Sequence, residues 1–264
     1  LLEQGPQLNF WRAPLDNDTN LEKEWKQAGL NHLQERIDKV QAEIEEEEGV
    51  KIKVNSRIAP PVHTHGFNCE LEYTILPGGE IIIQVQGEPE GELPVLPRIG
   101  LKMVVPLEFK QIRWYGRGPG ESYIDSKQAG RIDVFNKEVD ELYTPYVYPQ
   151  ENGNRTDVRW VALNNLRGMG LMAAAGDDLI NFSAQRLEES DFEAASHTDE
   201  LTAKDKIFLN LDHREQALTS TSCGPEGLEK YRLNPEAFEF QVKLKPFTKN
   251  LISPAALGRK LKRL

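Results

Sequence analysis

Apolar residues that alternate one for one with polar ones recur along most of this chain, and that period of two limits its fold more than any other feature. Gly49-Val-Lys-Ile-Lys-Val-Asn55 alternates apolar and charged side chains, as a strand with one buried face requires. Leu71–Ile75, the turn Pro77-Gly-Gly-Glu80 and Ile81–Val85 read as a hairpin. Further strands are predicted at Ile99–Pro106, Ile112–Tyr115, Val158–Leu163, Gly170–Ala175, Leu179–Ala184, Ile207–Leu211 and Phe238–Leu244. Turn residues stand at close intervals between them. Many short strands with little helix predict an all-β fold, a large antiparallel β-sandwich with a few short helices.

Helical spacing is confined to a few places. Apolar residues at 21, 25, 28, 30, 33, 37 and 40 trace a helical stripe through Leu21–Val40, broken near Gly29. Asp191–Leu201 also has helical character, and His197 within it reads as a packing or capping residue. Asp16–Asn20 superficially resembles a calcium loop, but Leu21 stands where the sixth-position glycine would be and Gln27 where the twelfth-position glutamate would be. A turn that caps the following helix is expected there instead. Glu45–Glu48 reads as a solvated turn or strand edge.

The length of 264 residues fits one β domain, since no linker divides it. A net charge of −10 argues against nucleic acid as a partner, because phosphate binding needs a basic surface. The longest apolar runs fall far short of the ~20 residues that span a bilayer, so no membrane segment is expected. The opening Leu-Leu-Glu-Gln, without an initiator methionine, reads as the start of an excised piece and leaves localisation unknown, cytoplasmic and periplasmic both standing. Cys69 and Cys223 are expected to be buried thiols, with a single bridge between them as the alternative.

Between Trp114 and Trp160 the alternation breaks down. Gly116, Gly118, Pro119 and Gly120 make Tyr115–Tyr123 a shaped loop, and Tyr143–Pro149 followed by Gln150–Arg155 is another. Tyrosines interleaved there with Glu121, Asp125, Glu151, Asn152 and Arg155 suit a surface that stacks on a sugar and hydrogen-bonds its hydroxyls. Equally, the rings could brace long loops over a sandwich. His63 and His65 have the spacing to share one side of a strand, but a metal would need further ligands than these two supply.

YGRGPGESYIDSKQAGRIDVF, LYTPYVYPQENGNRTDVRW and the early signature Phe10-Trp-Arg-Ala-Pro-Leu-Asp-Asn-Asp18 resemble the C-terminal, small-chain domain of glycoside hydrolase family 2 β-galactosidases. The resemblance runs roughly from Phe10 to Phe247. It implies a galactose mutarotase-like sandwich over residues 1–247, with 248–264 as a basic, solvated C-terminal tail. Hydrolysis of terminal β-D-galactosides is the implied activity, with both catalytic glutamates in a preceding barrel, so no catalytic residue and no metal ligand is expected in this chain. A retaining glycosidase needs two carboxyl groups ~5–5.5 Å apart, and 42 acidic residues do not single out a pair. The resemblance further implies Mg2+ and Na+ in the full-length enzyme. Its implied partners are a β-galactoside or related sugar, the other domains of the polypeptide, and other copies in a homo-oligomer. It places the loop carrying His65 near the mouth of the site, and it places Cys223 where several family members present a tryptophan to the sugar. Cys223, His65, Glu121, Tyr123, Glu151 and Asn152 are therefore the candidate substrate-side residues. A freestanding carbohydrate-binding module and a sugar epimerase are the alternative functions.

Overall fold

Each period-two segment becomes a strand. The computed structural model describes residues 1–45 and 49–261, and the chain runs β1 (Gln4–Asn9), α1 (Thr19–Gln27), β2 (Gln34–Glu45), β3 (Gly49–Ala59), β4 (Gly66–Ile75), β5 (Ile81–Glu90), β6 (Arg98–Pro106), β7 (Gln111–Gly118) and β8 (Arg131–Glu138). It continues through β9 (Arg155–Val158), β10 (Trp160–Asn164), β11 (Met169–Ala175), β12 (Ile180–Gln185), α2 (Glu189–Ala194), β13 (Lys206–Glu215), β14 (Phe238–Thr248) and α3 (Pro254–Leu261). The strands form two antiparallel sheets, one ordered β1-β6-β13-β12-β9 and the other β2-β3-β4-β5-β14-β11-β10-β7-β8. The predicted sandwich is the architecture found.

Registry explains which face of each strand is buried. Ile52 pairs with Tyr73, Tyr73 with Ile83 and Ile83 with Val242, so apolar residues line one face across four strands. Of this row, Tyr73, Ile83 and Val242 join Leu101, Met103 and Val105 of β6 in a single cluster. The intervening residues, such as Lys53, Glu72 and Gln84, line the opposite, solvent-facing side. Full burial of one such aliphatic side chain stabilises the fold by about 1.5–3 kcal/mol. Phe10, from the early signature, stacks on Phe67 at 4.0 Å between ring centroids, and this anchors the segment that leads into α1.

Three expectations need correction. The helical stripe continues past α1 only as a short 3-10 turn at Leu30–His32, and residues 34–40 belong to β2; Gly29 makes the break with φ +69°, and a Cβ there would lie 2.7 Å from Pro60 Cβ. The stripe misled because Ile37 and Val40 continue the helical spacing yet lie on an edge strand, both 58% exposed. The C-terminal tail is not solvated over its described part. α3 buries Leu257 and Leu261 against Trp160, Ala162, Met172 and Phe247, and Lys243 Nζ donates to the Leu261 carbonyl at 3.1 Å. Apolar contact, rather than the basic charge that dominated the sequence, seats this helix, and Gly258 lets it approach Trp160 so closely that a Cβ would come within 2.4 Å of the indole. Finally, both cysteines are free thiols, Cys69 buried as expected but Cys223 exposed. Of Glu45–Glu48, Glu45 closes β2 and residues 46–48 lie outside the described residues. His197 is exposed, 3.4 Å from Glu200, and stands at the N-cap position of the 3-10 turn Thr198–Glu200, the capping place of the two expected for it.

Candidate functional site: a loop-built rim on a buried charge network

The early signature works as a hub that ties three loops together. Arg12 is fully buried; its Nη2 donates to both carboxylate oxygens of Asp18 at 2.9 Å, and its Nη1 donates to the Gln216 carbonyl at 2.6 Å. Asp18 accepts a further bond from the Leu15 amide at 2.9 Å, which closes the turn before α1. That turn is the helix-capping one expected at Asp16–Asn20. Asp16 and Gln150 exchange hydrogen bonds at 3.1 and 3.3 Å, so the signature also grips the second loop.

Behind the hub lies Arg98, at the start of β6. Its guanidinium stands 3.1 Å from Glu151, 3.3 Å from Asp212, 3.3 Å from Glu215 and 3.6 Å from Glu189. Too little positive charge is shared among too many carboxylates for all of them to ionise comfortably. Burial, reinforced by Glu215 and Glu189 and opposed by Arg98, pushes Glu151 up to about 7. Burial likewise holds Asp212 well above the usual carboxylate range, despite Arg98. Tyr123, 1% exposed, is pushed far up by burial and then by Glu215, Glu121 and Glu151, and its hydroxyl has no hydrogen-bond partner among the described residues.

The loops that follow are clamped from within. Arg155 donates to the carbonyls of Leu142 at 2.9 Å and Pro119 at 3.4 Å and lies 5.6 Å over the Trp114 ring. Burial lowers its guanidinium to about 10. Glu121 accepts from the Gly153 amide at 2.8 Å and from the Tyr146 hydroxyl. Asn152 accepts from the Thr144 amide at 3.0 Å and donates to the Gln150 carbonyl at 3.0 Å. Of the two sequence readings of this region, bracing is what the described side chains do.

Residues 217–232 form the outermost loop and carry Cys223. Asp125 receives the amides of Leu218 and Thr219 at 3.1 and 2.9 Å, and Asn17 donates to the Thr219 carbonyl at 3.1 Å while accepting from Ser222 Oγ at 2.5 Å. Thr219 sits at φ +56°, so the loop is held in a bent conformation by partners on two other segments. The bend leaves a cleft of about 230 Å³ between the loop and α1, lined by Asn17, Glu24, Thr219, Glu226, Leu228 and Tyr231 among others. Leu228 is 61% exposed there, an apolar patch among hydrogen-bonding groups.

The candidate residues therefore separate. Cys223 is exposed at the loop that borders this cleft. Glu121, Tyr123, Glu151 and Asn152 are gathered beneath the rim, but as supports; Tyr123, Glu151 and Asn152 are at most 4% exposed, and their polar groups are turned to neighbouring loops and buried charges. His65 stands apart, its Nε2 donating to the Ala28 carbonyl at 2.8 Å, at the other end of α1; nine helical residues separate the two ends by about 13 Å. Its partner His63 is 4.8 Å away, ring to ring. Among the described residues no group of three or more His, Cys, Asp and Glu could hold a metal ion. Arg98, Asp125 and Asn17 are central to the arrangement, though neither Arg98 nor Asn17 was singled out in the sequence, where only the signature motif enclosing Asn17 hinted at it.

Fold and site together define a β-sandwich domain whose loops are knitted into a rigid rim beside a polar cleft. More specifically, the chain belongs to the β-galactosidase small-chain family, whose model matches residues 1–244. It is 29% identical over 249 residues to a β-galactosidase of Staphylococcus xylosus, a match covering 93% of this chain and 24% of that protein. It is 32% identical over 246 residues to a β-galactosidase of Kluyveromyces lactis, covering 91% of this chain and again 24% of that protein. The chain thus spans about a quarter of the length of these curated relatives. Among solved structures, a GalM/aldose epimerase homologue from C. elegans aligns with a TM-score of 0.43 at 9% identity, covering 80% of this chain and 69% of that one.

Proposed function

We propose that this chain is the closing, non-catalytic domain of a β-galactosidase-type glycosidase and that it supplies the outer wall of the substrate cleft. The observation that carries this reading is the 217–232 loop, which lines the cleft and whose bent backbone is held by Asn17 and Asp125 while Cys223 on the same loop stays exposed. The family assignment supports it, as does the burial of Asp18, Asp212 and Glu215, whose side chains are no more than 1% exposed and so have no access to a substrate. The acid and the nucleophile then belong to the part of a longer polypeptide that corresponds to the remaining three quarters of the relatives. Among the described residues no cluster of three or more His, Cys, Asp and Glu gathers to hold Mg2+, and no step is assigned to Mg2+ or Na+ here. A galactoside or related sugar is the proposed ligand, met at the Cys223 side of the rim.

The test is Cys223→Trp in the full-length enzyme. An indole offers a stacking face that a thiol lacks, worth about 0.5–1.5 kcal/mol, so KM for an aryl galactoside should fall by up to about tenfold with the melting temperature unchanged. Altered stability with unaltered KM would mean that Cys223 does not face the sugar. The chain by itself should not hydrolyse the same substrate, and turnover that survives purification to homogeneity would move the catalytic groups into this domain.

A further inference from the structure

Cys223 belongs to a turn that closes on itself. The amides of Cys223 and Gly224 both donate to the Ser220 carbonyl, at 3.2 and 2.6 Å, and Ser220 Oγ donates to the Pro225 carbonyl at 2.9 Å. Residues 220–225 are thus tied together as one piece, and whatever places that piece places the thiol. Asp125 does not reach it, since its two bonds end at the amides of Leu218 and Thr219, at the root of the loop. Among the described residues, every hydrogen bond from 220–225 to a segment outside the loop ends on Asn17. Ser222 donates to Asn17 Oδ1 from its amide at 3.3 Å and from its Oγ at 2.5 Å, and Thr221 Oγ1 donates to the Asn17 carbonyl. The same carboxamide donates through Nδ2 to the Thr219 carbonyl at 3.1 Å, so one short side chain grips the loop on both sides of Ser220.

Asn17 is itself firmly placed. It is the middle residue of the 3-10 turn Asp16–Asp18, in which Asp18 is locked to Arg12 and Asp16 is bonded to Gln150. We infer that Asn17 is the positioning residue of the sugar-side wall: through Ser222 it fixes where the side chain at 223 meets the substrate, without touching the reacting atoms. This role rests on the reading of Cys223 as part of that wall. Asn17 also lines the cleft, but a direct contact with the ligand would not depend on the Ser222 hydroxyl, and the two arrangements separate on that point.

Steady-state kinetics of the full-length enzyme on an aryl galactoside test it, with melting temperatures alongside. Asn17→Ala and Ser222→Ala should each raise KM by about three- to tenfold, the share of one or two lost hydrogen bonds, and leave kcat within about twofold because the reacting groups lie elsewhere. Ser222→Thr keeps the hydroxyl and should restore KM. The double variant should be no worse than Asn17→Ala alone, since both changes break the same contact. In the Asn17→Ala background the fall in KM expected of Cys223→Trp should shrink to less than about twofold, the indole being no longer held against the sugar. Ser222 is exposed, so Ser222→Ala carries the test should Asn17→Ala fold poorly. A lowered melting temperature with unchanged KM makes Asn17 merely structural and overturns the role, as does a full gain from Cys223→Trp without Asn17. A rise in KM for Asn17→Ala but not for Ser222→Ala means that Asn17 meets the ligand directly, which also overturns it, and a loss confined to kcat does the same. If Cys223→Trp leaves KM unaltered beside an intact Asn17, the wall reading itself has failed; if it lowers KM while the Asn17 and Ser222 variants change nothing, only the positioning role has.

Discussion

Replacing Arg98 with methionine gives the most informative perturbation of the buried network. Methionine keeps most of the unbranched stem and removes the charge that four carboxylates share at 3.1–3.6 Å. Removing one partner from a buried ion pair costs about 3–5 kcal/mol, mostly because the remaining charge has no compensation. The carboxylates have a way out, which is to stay protonated. With the cation gone, Glu151 and Asp212, already raised by burial, rise further above their values in the unfolded chain, and a raised acid contributes stability at low pH that is lost as pH increases. The deficit of Arg98→Met relative to the unaltered protein should therefore grow with pH, from about 1–2 kcal/mol near pH 5 to about 3–5 kcal/mol near pH 8. Urea unfolding followed by tryptophan fluorescence at both pH values reads this directly as the change in midpoint, provided the slope is common to both proteins. A deficit that is constant across pH, or larger in acid, would refute the account of Arg98 as the charge that lets these groups ionise.

Two further outcomes follow from contacts already described. Glu151, pushed up to about 7, keeps a proton that the unfolded chain gives up near its ordinary 4.5, so it favours the folded state below about 4.5 and loses that contribution as pH rises to about 7; Glu151→Gln, which imitates the protonated form, should flatten the pH–stability curve over this window by up to about 2–3 kcal/mol, and an unchanged curve in denaturant titrations would contradict it. Leu261→Ala empties a buried contact of α3, 1% exposed, and should cost about 2–4 kcal/mol of local stability, seen as faster amide exchange in α3 and β11 while β13 keeps its protection; equal acceleration in all three would show that the helix is not a separable layer.

The strands were legible because a half-covered sheet needs alternation, and that need acts locally. Lys53, Glu72 and Gln84 mark the wet face as clearly as Ile52, Tyr73 and Ile83 mark the dry one. β2 misled since it lies past the smaller sheet, where burial no longer enforces alternation and a bulge shifts the phase. α3 was hidden for a different reason: its charged residues stand together in sequence, whereas Leu257 and Leu261 find their partners on β10, β11 and β14, far along the chain. The loops were recognisable from their glycines, prolines and aromatic rings, but not their internal roles. Whether Glu151 faces a ligand or Arg98 depends on a pairing that spans 53 positions, which no local spacing encodes.

The hold on the 217–232 loop is exerted largely on its backbone. Asp125 takes two main-chain amides, and Asn17 takes a main-chain carbonyl along with the hydroxyl of Ser222. None of these bonds involves the side chain at 223. The exposed residue at 223 is thus free to change without altering the bonds that hold its loop, so that within one scaffold evolution could retune the rim a single codon at a time.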